Sequence, residues 1–142
     1  MATYVKIPDW MEYVHEGAVN LASDTFQVAL SNTAPASETP NPLTSGNGIL
    51  VNVTQIAYTN LSTQVMTLAS SAEAGGVYTL DLNDLVLTAS GAVATFRYVY
   101  IFDQTAVGDP LIAHFDHGSA VTMANGDTYT ITLNASGLYT VT

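Results

Sequence analysis

Two histidines flank an aspartate in the stretch His114–Ser119, which reads HFDHGS. These are the side chains from which zinc sites and catalytic bases are made. In an extended strand, however, side chains alternate between faces, so His114 and Asp116 would lie on one face and His117 on the other. A zinc site needs three or four converging ligands. We therefore expect the end of a strand that runs into a turn at Gly118, where only a bulge would change the alternation.

Other patterns in the sequence also lack residues that chemistry needs. Ser119 follows a glycine but lies in no GxSxG pattern, and the glycine-rich SGNGIL has no phosphate-binding lysine. Asp81 and Asp84 would face apart in an extended chain, and their spacing lacks the glycine and distal glutamate of a calcium loop. Cysteine is absent, which excludes disulfides and thiolate chemistry. We expect a protein that is not an enzyme and that binds no metal and no cofactor.

The charge balance limits the partners that the chain can bind. Lys6 and Arg97 are the only lysine and arginine, against 12 acidic residues, and the formal net charge is −10. Such a chain repels phosphate backbones and anionic membrane surfaces, so we expect no nucleic acid and no membrane among its partners. The N-terminal sequence lacks a secretory signal, and no apolar run approaches the ~20 residues of a membrane helix. We expect a soluble protein made in the cytosol.

A helix is predicted over residues 9–22, because apolar residues recur there at spacings of three and four. Asp9 and Glu12 fit a capping box at its start. Gly17 weakens its middle, so one short helix and two broken turns both remain open. The apolar positions are Trp10, Met11, Val14, Ala18 and Leu21.

After the helix, apolar residues recur with the period of two that is typical of strands. The stretch VATFRYVYIF is apolar on both faces and predicts a central strand, and Asn125–Gly126 predicts a two-residue type I′ hairpin. Residues 33–48, rich in proline, predict a long irregular loop. The chain is thus expected to be one all-β domain over 1–142. Its expected form is a jelly-roll-like fold or β-sandwich, with an N-terminal arm over 1–8 and one short N-terminal helix.

Four segments of the chain, taken in order, resemble a family of small structural proteins of tailed bacteriophages. They are DTFQVALSNTAP, TQIAYTNLSTQ, GVYTLDLNDLVLTASGAVATFRYVYIFDQTAVGDPLI and HFDHGSAVTMANGDTYTITLNASGLYTV. The resemblance runs from about Gly17 to the C-terminus, with the same order and spacing. The chain departs from the family pattern at Ala113, where the pattern has glycine, and in HFDHG, where the pattern is rich in aromatic residues.

This resemblance implies a capsid decoration, or cement, protein with a jelly-roll-like fold. Such proteins bind the outer surface of an icosahedral head and stabilise contacts between major capsid subunits. The expected partners are therefore the major capsid protein and the chain itself, as a homodimer or homotrimer. The expected location is the capsid exterior of the virion, after synthesis in the host cytoplasm. A tail component, such as a fibre, baseplate or adaptor protein, is the structural alternative.

Six residues are candidate partner contacts, because extended segments can become ordered on a neighbouring subunit and exposed aromatic residues can anchor one. They are Tyr4, Trp10, Tyr13, Pro35, Pro40 and Pro42. For Trp10 we favour the other role, in which it holds the helix against the sandwich. A carbohydrate-binding jelly-roll module, with the three aromatic residues of this set as its platform, is the alternative from a different class. Titration of His114 and His117 could tune a subunit contact.

Overall fold

The computed structural model describes residues 3–142, and strands make up most of its regular structure. The strands are β1 Thr3–Lys6, β2 Phe26–Ser31, β3 Val65–Met66, β4 Leu68–Ala74, β5 Val77–Leu82, β6 Leu85–Thr88, β7 Val93–Asp103, β8 Leu111–Met123, β9 Thr128–Ile131 and β10 Tyr139–Val141. One helix, α1, spans Trp10–His15, and short 3-10 turns lie at Pro35–Ser37 and Leu50–Asn52.

The strands form two packed layers. One layer is a five-stranded antiparallel sheet in the order β1-β8-β7-β2-β3. The other contains the three-stranded sheet β10-β5-β4 and the two-stranded sheet β6-β9. Only Asn83 and Asp84 separate β5 from β6 in the chain. The main core lies between the layers, with Ile101 from the large sheet and Leu80 and Leu87 from the small ones. The predicted all-β, sandwich-like fold is confirmed.

Strand β7 is central, as its two apolar faces predict, because it pairs with β2 on one side and β8 on the other. Val99 and Ile101 point into the main core. Tyr98, Tyr100 and Phe102 point the other way, into a second buried cluster. That cluster is closed by the irregular segment after β2, which contributes Ala34, Leu43, Leu50 and Val53.

The N-terminal region differs from its prediction in two respects. Thr3–Lys6 forms the edge strand β1, paired antiparallel with β8, so the part of the 1–8 arm that the structure describes is not a free arm. The remainder of that arm, residues 1–2, lies outside the described residues. The helix is shorter than 9–22, because Gly17 adopts a φ of 72° and the chain leaves the helix there. The sequence left open one short helix or two broken turns around Gly17, and the structure has the short helix.

The predicted capping box is also wrong. Asp9 makes no side-chain bond to the helix N-terminus. Its buried carboxylate instead accepts hydrogen bonds from the backbone N–H of Gly46 (2.9 Å) and Gly48 (2.8 Å). Gly48 lies so close to Ile7 that a Cβ on Gly48 would be only 2.7 Å from Ile7 Cγ2. Asp9 therefore fastens the 33–48 loop to the start of the helix.

The turn at Asn125–Gly126 forms, but it does not make a hairpin. Only Gly126 of the pair has a positive φ (90°), whereas a type I′ turn needs positive φ at both positions. The turn closes through Asp127 N–H to Ala124 O. Strand β8 before it belongs to the large sheet, and β9 after it pairs with β6. The turn therefore carries the chain from one layer to the other.

We expect Asp9→Ala to destabilise the protein by about 2–4 kcal/mol, because it leaves two N–H groups without their charged acceptor, one of them buried. Asp9→Asn, which keeps one acceptor oxygen, should cost less. The free energy of unfolding in urea measures both effects. Glu12→Ala is the control at the exposed capping-box position and should change stability by no more than about 0.5 kcal/mol. Equal losses at Asp9 and Glu12 would contradict the loop-fastening role.

Candidate functional site

His114 lies in the middle of the large sheet, opposite Val5 of β1 and Tyr100 of β7. Its side chain is buried, with a residual exposure of 4%. The ring stacks on Tyr98 at 5.9 Å and packs against Tyr100 at 4.9 Å between ring centroids. Neither ring nitrogen has a hydrogen-bond partner among residues 3–142. Burial lowers the pKa of His114 to about 4, so at neutral pH it is an uncharged aromatic side chain of the core.

Asp116 is used in an ion pair. Arg97 binds its two oxygens through Nε (2.7 Å) and Nη2 (2.9 Å), and Gly118 N–H donates to Oδ1 (2.8 Å). The hydrogen bond from Arg97 is the main reason that the pKa of Asp116 falls to about 2. The guanidinium also lies over the ring of Tyr98, 5.2 Å from its centroid. This carboxylate is thus already occupied by the paired cation.

The sequence predicts that this strand ends at Gly118, but β8 continues to Met123. Tyr98 lies opposite Asp116 while Phe96 lies opposite Val121, so β8 contains extra residues at this point. Gly118 has a φ of 90° within this irregularity. The alternative left open for Gly118, a bulge, is therefore the one that forms.

His117 is exposed, and its Nδ1 lies 3.2 Å from the hydroxyl of Tyr129. Three side chains of HFDHGS thus have separate surroundings. His114 lies against two tyrosine rings, Asp116 is bound by an arginine, and His117 lies beside a tyrosine hydroxyl. Over the part of the chain that the structure describes, no group of three or more His, Cys, Asp or Glu residues is placed to hold a metal ion.

A second titratable group was not predicted from the sequence. Asp103, at the end of β7, is completely buried. Its Oδ1 accepts hydrogen bonds from Thr105 N–H (2.8 Å) and Ala106 N–H (3.1 Å). Burial, followed by the neighbouring carboxyl of Asp24, raises the pKa of Asp103 to about 6. An aspartate at a strand end, as in DQT at residues 103–105, is a local signal for a turn in which its side chain accepts hydrogen bonds from the next backbone N–H groups. Nothing in the local sequence places Asp24 beside Asp103.

The six candidate contacts divide by exposure. Tyr4 is 44% exposed, Pro40 is exposed and Tyr13 is partly exposed. Pro35 and Pro42 are buried, so they are not the exposed contacts that we expected. Trp10 is also buried, in agreement with the packing role that we favoured for it. The indole of Trp10 packs edge-on against Phe26 (6.5 Å) and Tyr139 (6.4 Å), the arrangement expected of a residue that holds α1 on the sandwich. The three aromatic residues therefore do not form an exposed sugar-binding platform.

Two strongly exposed valines, which no sequence pattern singled out, lie on two neighbouring loops. Val107 is 97% exposed and Val51 is 81% exposed. Their loops are joined by the backbone bond from Leu50 N–H to Asp109 O (3.0 Å), and Ile49 forms a β-bridge with Pro110. We name Val51 and Val107 the valine tip. These are the two most exposed of the large hydrophobic side chains, and they lie on loops that are held together, so we take them as a candidate contact surface.

Comparison of the chain with protein-family models, curated proteins and solved structures finds no match. Within residues 3–142, no helix has both the length and the apolar character needed to cross a membrane.

The low pKa of His114 predicts a loss of stability in acid. The unfolded state takes up a proton near pH 6.5 and the folded state only near pH 4, so His114 weakens the fold as pH falls through that window. In His114→Phe this contribution, about 3 kcal/mol, should vanish. Urea unfolding at intervals from pH 4 to 7.5 measures it. His15→Gln, at an exposed helix position, leaves His114 in place and should keep the wild-type loss. A wild-type slope in His114→Phe would refute this assignment.

Asp103 predicts an effect of opposite sign. Its folded pKa lies above its unfolded value, so it weakens the fold as pH rises from about 4 to about 6. Asp103→Asn keeps an acceptor for Thr105 and Ala106 and removes the buried charge. We expect it to stabilise the protein by about 1–3 kcal/mol at pH 7.5 and to have little effect at pH 4. Thermal unfolding at both values tests this against Glu16→Gln, at an exposed position. Destabilisation by Asp103→Asn at both values would contradict the role of the buried charge.

Proposed function

We propose that this chain is a structural virion protein of a tailed bacteriophage, and that it decorates the outside of the capsid. In this role it binds the major capsid protein as a homodimer or homotrimer and stabilises contacts between capsid subunits. The observation that carries the proposal is the ordered resemblance of four segments, from about Gly17 to the C-terminus, to such proteins. Capsid, cement function and location outside the head are all parts of this proposal.

The use of reactive side chains within the fold supports a structural role. His114 is enclosed by two tyrosine rings, Asp116 is bound by Arg97, and Asp9 is bound by two backbone N–H groups. These three side chains thus have contacts within the sheet or with its covering loop. The net charge of −10 opposes binding to the nucleic acid inside a head and is compatible with a position outside it.

The valine tip is the surface that we assign to the capsid contact. Val51 and Val107 lie on two loops that are joined by a backbone hydrogen bond, and we assign both side chains to apolar contacts with the capsid. Complete burial of two valines contributes about 3 kcal/mol, which corresponds to about a hundredfold in the dissociation constant. The exposed Pro40 is a further candidate in the 33–48 loop.

The test is co-sedimentation of the purified protein with capsids that lack it. We expect saturable binding, and at least about tenfold weaker binding of the double variant Val51→Ser, Val107→Ser, because two apolar contacts are lost. Val86→Ser is the matched control, since Val86 is 51% exposed on β6, away from the tip. Equal affinity of all three proteins would remove the valine tip from the interface. Absence of binding to capsids, together with immunogold labelling of tails, would refute the capsid role and favour a tail component.

A further inference from the structure

One side of the sandwich is open. There, β1 and β8 of the large sheet face the segment that connects β9 to β10 in the other layer, and the hydroxyl of Tyr4 donates to Leu138 O (3.2 Å) across the gap. Between them lies a cavity of about 460 Å³, large enough for one or two side chains of a ligand. Tyr4, Phe115, Leu133 and Leu138 form its apolar walls. The rings of Tyr4 and Phe115 pack at 5.4 Å. We name this cavity the side cleft.

Among residues 3–142, none that lines the side cleft is charged, in a chain whose net charge is −10. A smaller cavity lies next to it and shares Phe115 and Thr132, with Val99 and Ile131 at its base. It too is lined without charge. The two cavities together therefore form an uncharged, largely apolar trough.

An acidic groove lies on the other side of the same wall. Residues 132–134 line both this groove and the side cleft. The groove is also lined by Asp81 and Asp84, and Asp84 uses Oδ1 to accept the backbone N–H of Leu133 (2.8 Å). Within residues 3–142 the only salt bridge is that between Arg97 and Asp116, so neither groove carboxylate is paired with a cation. An apolar site and an anionic site are thus separated by the width of one chain segment.

A strand edge borders the side cleft. β1 is the terminal strand of the large sheet. An edge strand carries backbone N–H and C=O groups that point away from its one partner. Tyr4, which lines the side cleft, belongs to such an edge. An extended peptide could use these backbone groups, which a compact apolar molecule could not.

We propose that the side cleft binds an extended peptide segment of a partner protein, with an apolar side chain in the cleft and a Lys or Arg side chain over Asp81 and Asp84. The apolar lining selects the first side chain, and the charge of the groove selects the second. In an extended peptide, residues rise by about 3.3 Å each, so the two side chains would lie two to four positions apart, the distance needed to cross one segment. This binding site is separate from the valine tip and does not depend on the capsid role.

Screening of the full-length protein against a positional library of fluorescent octapeptides tests the proposal without assuming a sequence. We expect enrichment of Leu, Ile, Val, Phe or Met at one position and of Lys or Arg two to four positions away. Fluorescence polarisation of the enriched peptides then gives the dissociation constants. Replacing the apolar residue by Ser should weaken binding at least about tenfold, and high salt should weaken it further, because the basic contact is partly solvated.

Variants of the chain locate the site. Thr132→Trp fills the trough from an exposed position and should weaken peptide binding at least about tenfold, whereas Thr128→Trp, exposed on the same strand segment but outside both cavities, should leave it unchanged. The double variant Asp81→Asn, Asp84→Asn keeps the acceptor for Leu133 and should remove the preference for Lys or Arg while retaining the apolar preference. Circular dichroism and urea unfolding verify that each variant is folded.

Three results would overturn the proposal. The first is a library with no enriched position. The second is enrichment that persists unchanged in Thr132→Trp. The third is binding of a small apolar dye in the side cleft, abolished by Thr132→Trp, with no peptide enrichment; this would assign the cleft to a small apolar ligand. None of these results bears on capsid binding, which the valine-tip variants test separately.

Discussion

The structure depends on one constraint: β7 has apolar side chains on both faces, so the large sheet must be covered twice. The small sheets cover one face and form the main core. In the described part of the chain, residues 3–142, no further sheet covers the other face, and the irregular segment after β2 covers it instead. A segment without regular structure needs fixed attachment points, and the carboxylate of Asp9 supplies one through two backbone N–H groups. The helix position, the loop path and the second cluster all follow from covering that face.

Covering both faces also encloses polar groups. His114, on β8, packs against Tyr98 and Tyr100 of the second cluster, and burial there favours its neutral form. Asp103 lies at the end of β7, where burial favours its protonated form. Between about pH 4 and 6 the first group strengthens the fold as pH rises and the second weakens it. The two effects partly cancel, so a weak pH dependence of the whole protein would conceal two strong ones.

A sandwich covered on both faces can meet partners at its ends and at its open side. The valine tip lies at one end, on two loops bonded to each other. The side cleft lies where the edges of the two layers do not close. These places combine exposed apolar surface with strand edges or loop tips, whereas the predicted contacts Trp10 and Pro35 are used inside the fold. Buried proline and tryptophan show that a loop-like composition does not imply a free surface.

Local signals in the sequence determined several elements: the period of two, the two apolar faces of β7 and the turn at Asn125–Gly126. The helix, expected over 9–22, ends at His15 in the structure. Local signals also determined that the HFDHGS side chains diverge, because alternation is a property of the strand itself. Pairing was decided only by tertiary structure. Asp9 bonds to a loop nearly 40 residues away, Asp103 meets Asp24, and the strands beside the turn join different sheets. Contacts between residues far apart in the chain produce no periodic pattern in the sequence, because packing of the whole core sets them.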